Sequence, residues 1–319
     1  MKVTPFNAIG IDVGGTKIAA GCVTFPEAVT HFRRVIPSNP QRGGRAVLDD
    51  VVQLAEELIA EAQAAGKKVD AIGLGLCELV GSDGRVLSEQ SVSWMDLPLQ
   101  ERFSALAPFT LEADVRAAAL AEARFGAGRG LRLFLYVTVG TGISSCLVID
   151  GEPFLGTRGA TGTMASAPLT VVCEHCGHVN QKTLEQIAAG PRIVARLNQL
   201  LPASAKSGQD VLVAASAGEP HALTVIRTAN EALGSTVGLL ISVLDPEALI
   251  VGGGLGLSEG PYWENFLAAT RRHIWSETHR DLPILRASTG LDAGLIGAAA
   301  AAWESVTGTR GNSDGAPAR

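Results

Sequence analysis

Two stretches of the chain put glycine where a strand must turn tightly and leave polar side chains at the turn. Residues 9–23 read IGIDVGGTKIAAGCV, an apolar run that breaks at Asp12, passes Gly14 and Gly15, and carries Thr16 and Lys17 before it resumes. Residues 131–151 repeat the device as LRLFLYVTVGTGISSCLVIDG, with Gly140, Thr141 and Gly142 at the turn. Glycine permits positive φ and close approach to the backbone, so paired glycines between two strands suit amides aimed at an anion. A plain tight hairpin with a surface lysine would use the same residues. The recurrence of the device, and a third glycine cluster in ALIVGGGLG at 248–256, favour the anion. Neither familiar phosphate loop fits. DVGGTK has no four-residue gap before Gly-Lys, and VGGGLG lacks the dinucleotide spacing and lies near the end of the chain, not in a first βαβ unit.

Carboxylates and thiols supply the other chemistry. FTLEAD at 109–114 ends on Asp114 just before an Ala-rich helical stretch. A carboxylate there can accept a hydroxyl proton, and it can equally cap the helix; position alone favours the cap. Glu185, in TLEQIAAG, reads by itself as a first-turn helix carboxylate. CEHCGHVNQKTLEQ sets Cys173, His175, Cys176 and His178 within six positions. These are donors enough for zinc through Cys173 and Cys176 with His178 or His175. Two reduced thiols and two surface imidazoles are the other reading.

The elements that must position these groups alternate between strand and helix. After the first strand, turn and strand comes a helix with Leu48, Val51, Val52, Ala55, Leu58, Ile59 and Ala62 at helical spacing and Gly66 at its end. VDAIGLGL at 69–76 and FTLEAD are further strands. Residues 155–185 are irregular, a helical half runs over 184–201, and a long apolar helix over 221–243 stops at Asp245-Pro246. ALIVGGGLG is a buried strand running into glycines, and a last helix over 294–305 leaves the polar tail TGTRGNSDGAPAR. The alternation indicates an α/β architecture.

Composition narrows the function classes. With 319 residues, 46% of them hydrophobic, the chain can fill two lobes. Net charge −6 argues against a nucleic-acid surface. No run of about 18 apolar residues marks a membrane span, and the start of the chain reads as strand, not leader. A cytoplasmic location is expected. Five cysteines at irregular positions make no disulfide framework.

The chain resembles the ROK sugar kinases of the actin, sugar kinase and Hsp70 ATPase superfamily. GIDVGGTK looks like the phosphate 1 motif, VTVGTGIS like phosphate 2, ALIVGGGLG like the adenosine motif and DAGLIGAAAAAW like the closing helix. The resemblance implies a two-lobed actin-like (ribonuclease H-like) α/β fold with an interlobe cleft. Residues 1–115 would form the N-terminal lobe, joined by the helix at 291–306; residues 116–290 would form the other lobe and 307–319 a disordered tail. It also implies ATP and Mg²⁺. Asp12 would orient magnesium through water, and the glycine amides and Thr16 would contact phosphate with Lys17 beside them. Gly140, Thr141 and Gly142 would hold phosphates from the second turn, and Gly253 and Gly254 would lie against adenosine. ROK repressors carry a DNA-binding helical domain before the first hairpin; this chain has only a short lead there, and no nucleic-acid partner is expected. Family members are often dimers, and a homodimer is expected.

The family pattern Glu-Asn-Asp-Ala-Asn makes Asp114 the catalytic base by resemblance. Ala113 stands where the family has a sugar-contacting Asn, and Val115 and Arg116 also depart. Thr163 and Ser166 replace the Glu that holds sugar hydroxyls and the His that ligates zinc. Glu185 matches the later sugar-contacting Glu. Cys77, Glu78 and Leu79 replace a Pro-Gly-Pro turn; Glu78 is an added pocket charge or a solvated loop residue. The family's three-Cys zinc pattern is altered here. A buried hydroxyl without its partner costs about 1–3 kcal/mol, so these losses direct the expectation away from glucose, toward an amino or deoxy hexose. A non-catalytic sugar- or nucleotide-binding regulator of the same fold is the alternative.

Overall fold

The computed structural model describes residues 5–308 apart from 173 and 178, with backbone alone at 171, 172 and 180. In chain order the elements begin with β1 (Phe6–Val13), β2 (Lys17–Phe25), β3 (Val29–Pro37), α1 (Gly44–Ala64), β4 (Ala71–Leu76), α2 (Leu99–Ser104), β5 (Phe109–Ala113) and α3 (Asp114–Phe125). There follow β6 (Leu133–Val139), β7 (Ile143–Ile149), β8 (Glu152–Pro153), β9 (Pro168–Val172), β10 (Val179–Thr183), α4 (Leu184–Ala188), α5 (Gly190–Leu200), α6 (Gly208–Ser216) and α7 (Pro220–Leu244). The chain closes with β11 (Ala248–Gly252), α8 (Gly253–Gly256), α9 (Pro261–His273), α10 (Glu277–Arg280), β12 (Ile284–Arg286) and α11 (Ala293–Thr307).

The described residues divide into two compact units. The first holds those up to Arg132, Cys146–Thr161 and those from Leu291 onward; the second holds Leu133–Ser145 and Gly162–Gly290. In the first, the sheet order is β3-β2-β1-β4-β5, antiparallel across β1, β2 and β3 and parallel from β1 through β4 to β5. Strand periodicity explains the apolar run Ala8–Ile11 within β1. Ile9, Ile11 and Val13 pack with Val47, Leu48, Val51, Ala55 and Leu58 of α1, while Ala8 joins Leu120 of α3 and Leu295 and Ala299 of α11. Both faces are covered, so no polar alternation survives. The Ala-rich α11 lies directly on the strands: a Cβ at Gly10 or Gly73 would overlap the carbonyl oxygens of Leu295 and Ala298. Trp94 is fully buried and donates from Nε1 to Gly44 O at 2.7 Å, satisfying its one polar atom.

The second sheet, read from β8, runs β8-β7-β6-β11-β12 and so repeats the order of the first, with β11 parallel to both β6 and β12. In the second unit Leu135, Val137 and Val139 of β6 share a core with Val225, Ile226, Ala229, Leu233, Val237 and Ile241 of α7, whose spacing is that of one helix face. That helix ends at Asp245, which has φ 49, ahead of Pro246.

Differences from the sequence reading have local causes. The helical half expected over 184–201 is two helices, because Ala189 is extended at ψ 153 before the Gly190-Pro191 start of α5. The stretch expected to be irregular contains the antiparallel pair β9 and β10. The lobe boundary expected at 115/116 falls within α3, which approaches α11 so closely that a Cβ at Gly297 would overlap Ala117 O. Residues 309–319 of the expected tail lie outside the described residues.

Candidate functional site

Asp12 ends up where two strands and a helix meet. It pairs with Ala19 of β2 and Gly75 of β4, and a Cβ on Gly294 would come 2.5 Å from its Oδ2, so the carboxylate rests on the first turn of α11. A helix N-terminus favours negative charge there. Burial nonetheless pushes the Asp12 carboxyl up to about 6; Lys17 pulls it down and Asp292 pushes it further up. Asp292 is itself engaged by Arg33, whose Nε donates to both carboxylate oxygens at 2.7 and 2.9 Å. The turn after Asp12 closes through Gly14 N donating to Lys17 O at 3.0 Å. The Gly14 amide expected at phosphate is therefore used inside the turn, as a tight hairpin requires, while Thr16 and Lys17 are exposed at its tip.

Asp114 is the first residue of α3, directly after β5. The helix cap is Ala113, with no side-chain cap bond, so the capping alternative for Asp114 is not realised. Its Oδ1 accepts from Val115 N at 2.6 Å. Burial is the largest influence on its carboxyl and pushes it up; the charges of Asp12 and Glu78 act the same way, the Val115 amide and Arg116 oppose them, and the result is about 7. A carboxyl poised near neutrality beside a second carboxylate is what proton acceptance from an alcohol needs. Ala113 is buried and offers only a methyl group.

Three residues that depart from the family pattern, Arg116, Glu78 and Cys77, lie near Asp114. Arg116 is buried and donates from Nε to Glu112 Oε1 at 2.5 Å, from Nη1 to Gly159 O at 2.7 Å and from Nη2 to Val80 O at 2.7 Å. Glu78 is neither the solvated residue nor the free pocket charge that the sequence leaves open. It is 4% exposed, and its two oxygens accept from Ser88 Oγ (2.5 Å), Gln90 N (2.8 Å), Ser91 N (2.5 Å) and Val92 N (2.9 Å). A carboxylate accepting four such bonds has no acceptor site left for a sugar. Cys77 beside it lies among Asp114, Glu78 and Asp12, and burial drives its thiol far up, with a hydrogen bond from Ser91 acting in the opposite direction.

The second unit brings its own predicted residues together. Gly140 N donates to Gly142 O at 2.9 Å, closing the turn as in the first hairpin, and Gly190 N donates to Gly140 O at 2.8 Å. A Cβ on Gly140 would meet Gly254 N at 3.7 Å. The turn expected at phosphate and the glycines expected at adenosine are thus neighbours. Gly253 has φ +81, and a Cβ there would come 2.5 Å from Val139 O, so only glycine fits. Glu185 Oε2 accepts from Ile143 N at 3.2 Å, just after Thr141 and Gly142. Thr163 and Ser166 are exposed on a short turn, where Ser166 Oγ donates to Thr163 O at 2.8 Å.

Among the described residues no group of three or more His, Cys, Asp or Glu could hold a metal. Magnesium usually keeps several waters and takes one or two carboxylates, so partly buried Asp12, whose charge is penalised by desolvation, fits it through water. Of the expected zinc ligands, Cys173 and His178 lie outside the described residues; Cys176 and His175 are exposed. Sequence reasoning missed Asp292 as a neighbour of Asp12, although it opens the quoted DAGLIG segment, and missed Ser91, which carries no motif.

The fold and these residues define an α/β protein with two hairpin-bearing units on repeated sheets. The model of the ROK family matches residues 8–305, and the chain belongs to that family. It is 28% identical to the glucokinase of Streptomyces coelicolor, over 93% of this chain and 97% of the relative. It is 31% identical to the N-acetylmannosamine kinase of Vibrio vulnificus, over 92% and 97%. A ROK family glucokinase from Streptomyces griseus, solved with glucose and AMPPNP, superposes with a TM-score of 0.80 at 28% identity, covering 93% of this chain and 99% of that one. The fold is therefore the two-lobed actin-like α/β class. Among the described residues no helix is long and apolar enough to cross a membrane.

Proposed function

We propose that the chain transfers the γ-phosphoryl group of ATP to a hydroxyl of a small sugar. The observation that carries this reading is Asp114, partly buried beside Asp12 with its carboxyl near 7, in a chain of the ROK family. Phosphoryl transfer is mainly positioning and charge neutralisation. In this reading Asp114 accepts the acceptor hydroxyl's proton. Asp12 places Mg²⁺ through water, which supplies charge neutralisation at the transferring phosphoryl. The turn at Gly15, Thr16 and Lys17 and the turn at Thr141 and Gly142 bind phosphates, Gly253 and Gly254 face adenosine, and Glu185, whose other oxygen makes no hydrogen bond among the described residues, holds the sugar.

The acceptor we favour is a hexose derivative other than glucose. The Ala113 side chain cannot hydrogen-bond, and the Ser166 hydroxyl is turned onto the Thr163 carbonyl, so fewer partners remain for sugar hydroxyls. With Glu78 occupied by the 88–92 segment, a bare ammonium loses its expected partner. A deoxy or N-acylated hexose keeps the argument, and the likeness to an N-acetylmannosamine kinase supports it. A coupled phosphotransfer assay over glucose, 2-deoxyglucose, glucosamine and N-acetylmannosamine tests this; phosphorylation of glucose alone overturns it.

A homodimer through the second unit goes with this reading. Leu239 and Val243 on α7 are 61% and 69% exposed and Trp275 is 86% exposed, while Trp275 N donates to Ser242 Oγ at 3.3 Å. Exposed apolar side chains one turn apart on α7, with a third tied by its backbone to the same helix, are of the kind that proteins cover by association.

A further inference from the structure

Glu78 is a buried carboxylate on the loop after β4, and no role in binding or proton transfer falls to it. Its four partners belong to one short segment, Ser88 to Val92. Core residues flank the segment, Val86 before it and Val92 and Trp94 after it, and Leu87 N donates to Leu79 O at 2.7 Å, so Glu78 holds the exposed stretch between these anchors. Gln90 and Ser91 are exposed, so without this carboxylate their amides would face water and the stretch between the anchors would open locally. Ser88 Oγ, while donating to Glu78, also accepts from Leu79 N at 2.9 Å, tying the two loops together. Held this way, Ser91 stands against the phosphate hairpin: a Cβ on Gly15 would lie 3.5 Å from Ser91 Oγ. The Ser91 side chain also acts on the Cys77 thiol, lowering its pKa, while the Asp114 charge raises it, which puts both near Cys77.

We propose that Glu78 is a positioning residue for phosphoryl transfer, folding residues 88–92 into a wall that runs from the Gly15 turn to the neighbourhood of Asp114. Its two oxygens do for this loop what backbone pairing does for a strand, and the sugar meets the wall they set. The nucleotide turn closes through its own Gly14–Lys17 bond and does not depend on Glu78. The inference rests on the kinase reading for its catalytic part alone.

The test compares wild type with Glu78→Gln and the milder Ser88→Ala in the full chain. Glutamine keeps the size but accepts on one arm only, and Ser88→Ala removes one donor. Residue-level amide hydrogen exchange on the wild type should find Gln90, Ser91 and Val92 protected, and Glu78→Gln should release Gln90 at least. Kinetics with ATP and the four sugars named above should show the sugar KM raised on the order of tenfold to a hundredfold in Glu78→Gln, less in Ser88→Ala, with the ATP KM unchanged. Unprotected amides at 90–92 in wild type overturn the clamp. Released amides with an unchanged sugar KM, or ATP and sugar KM rising together with a falling Tm, overturn the positioning role. A wild type inactive on every sugar overturns the kinase reading and the catalytic part with it, and exchange then decides the clamp by itself.

Discussion

Replacing Asp114 by Asn should separate chemistry from stability in opposite directions. The asparagine keeps Oδ1 as acceptor for Val115 N, a bond of 2.6 Å in the native chain, so the start of α3 is undisturbed. It cannot take a proton from an alcohol, and loss of a general base costs about 10²- to 10⁴-fold in turnover. Stability should move the other way. Burial and the neighbouring carboxylates raise the Asp114 carboxyl from 3.8 to about 7, roughly a thousandfold in proton affinity, or at most about 4 kcal/mol since part of the group still meets water. The folded chain holds this proton more tightly than the unfolded chain. Its contribution is therefore full below the unfolded value and is lost as pH rises toward 7. The asparagine side chain carries no such charge, so at pH above 7 the variant should melt a few degrees higher than wild type. Scanning calorimetry at roughly pH 6 and pH 8.5, with steady-state kinetics on the same preparations, reads both effects. A variant retaining more than about a tenth of wild-type turnover, or one less stable at the higher pH, refutes the assignment.

The kcat/KM of wild type should climb as Asp12 and Asp114 ionise, with limbs near 6 and 7, and then level off; a flat profile down to roughly pH 5 would contradict these two roles. Gly294→Ala drives a methyl group into the Asp12 carboxyl, 2.5 Å from its Oδ2, and should lower magnesium-dependent turnover about tenfold or more and lower Tm as well, since such overpacking costs about 1–3 kcal/mol; wild-type kinetics in this variant would show that Asp12 tolerates displacement. Trp275→Glu puts a charge in place of one of the exposed apolar side chains Leu239, Val243 and Trp275 and should convert a dimer to a monomer by light scattering; an unchanged mass would mean that another face, or none, associates.

The sequence is most readable where geometry leaves few residue choices. Gly14, Gly15, Gly140 and Gly142 announce tight turns between strands, and both turns are there. The spacing from Leu48 to Ala62 marks the buried face of α1. Less readable is anything decided by contacts distant in sequence. Glu78 reads as a loop charge because its partners lie 10 to 14 residues away on a segment without a motif. Arg116 reads as a departure from the family's pocket and is a structural donor to Val80 and Gly159. Asp292 reaches Arg33 across 259 positions, a pairing that no local pattern reveals. The glycine amides go to phosphate as a group when read from sequence, yet a turn must first close on itself, which commits Gly14 and Gly140.

The most direct test of the central claim is the stoichiometry of ADP and sugar phosphate, measured together by mass spectrometry with ATP, Mg²⁺ and the favoured acceptor. A kinase with Asp114 as base should form the two in equal amounts, and neither when magnesium is chelated. ADP without sugar phosphate, or neither product from a chain that still binds ATP, would contradict it.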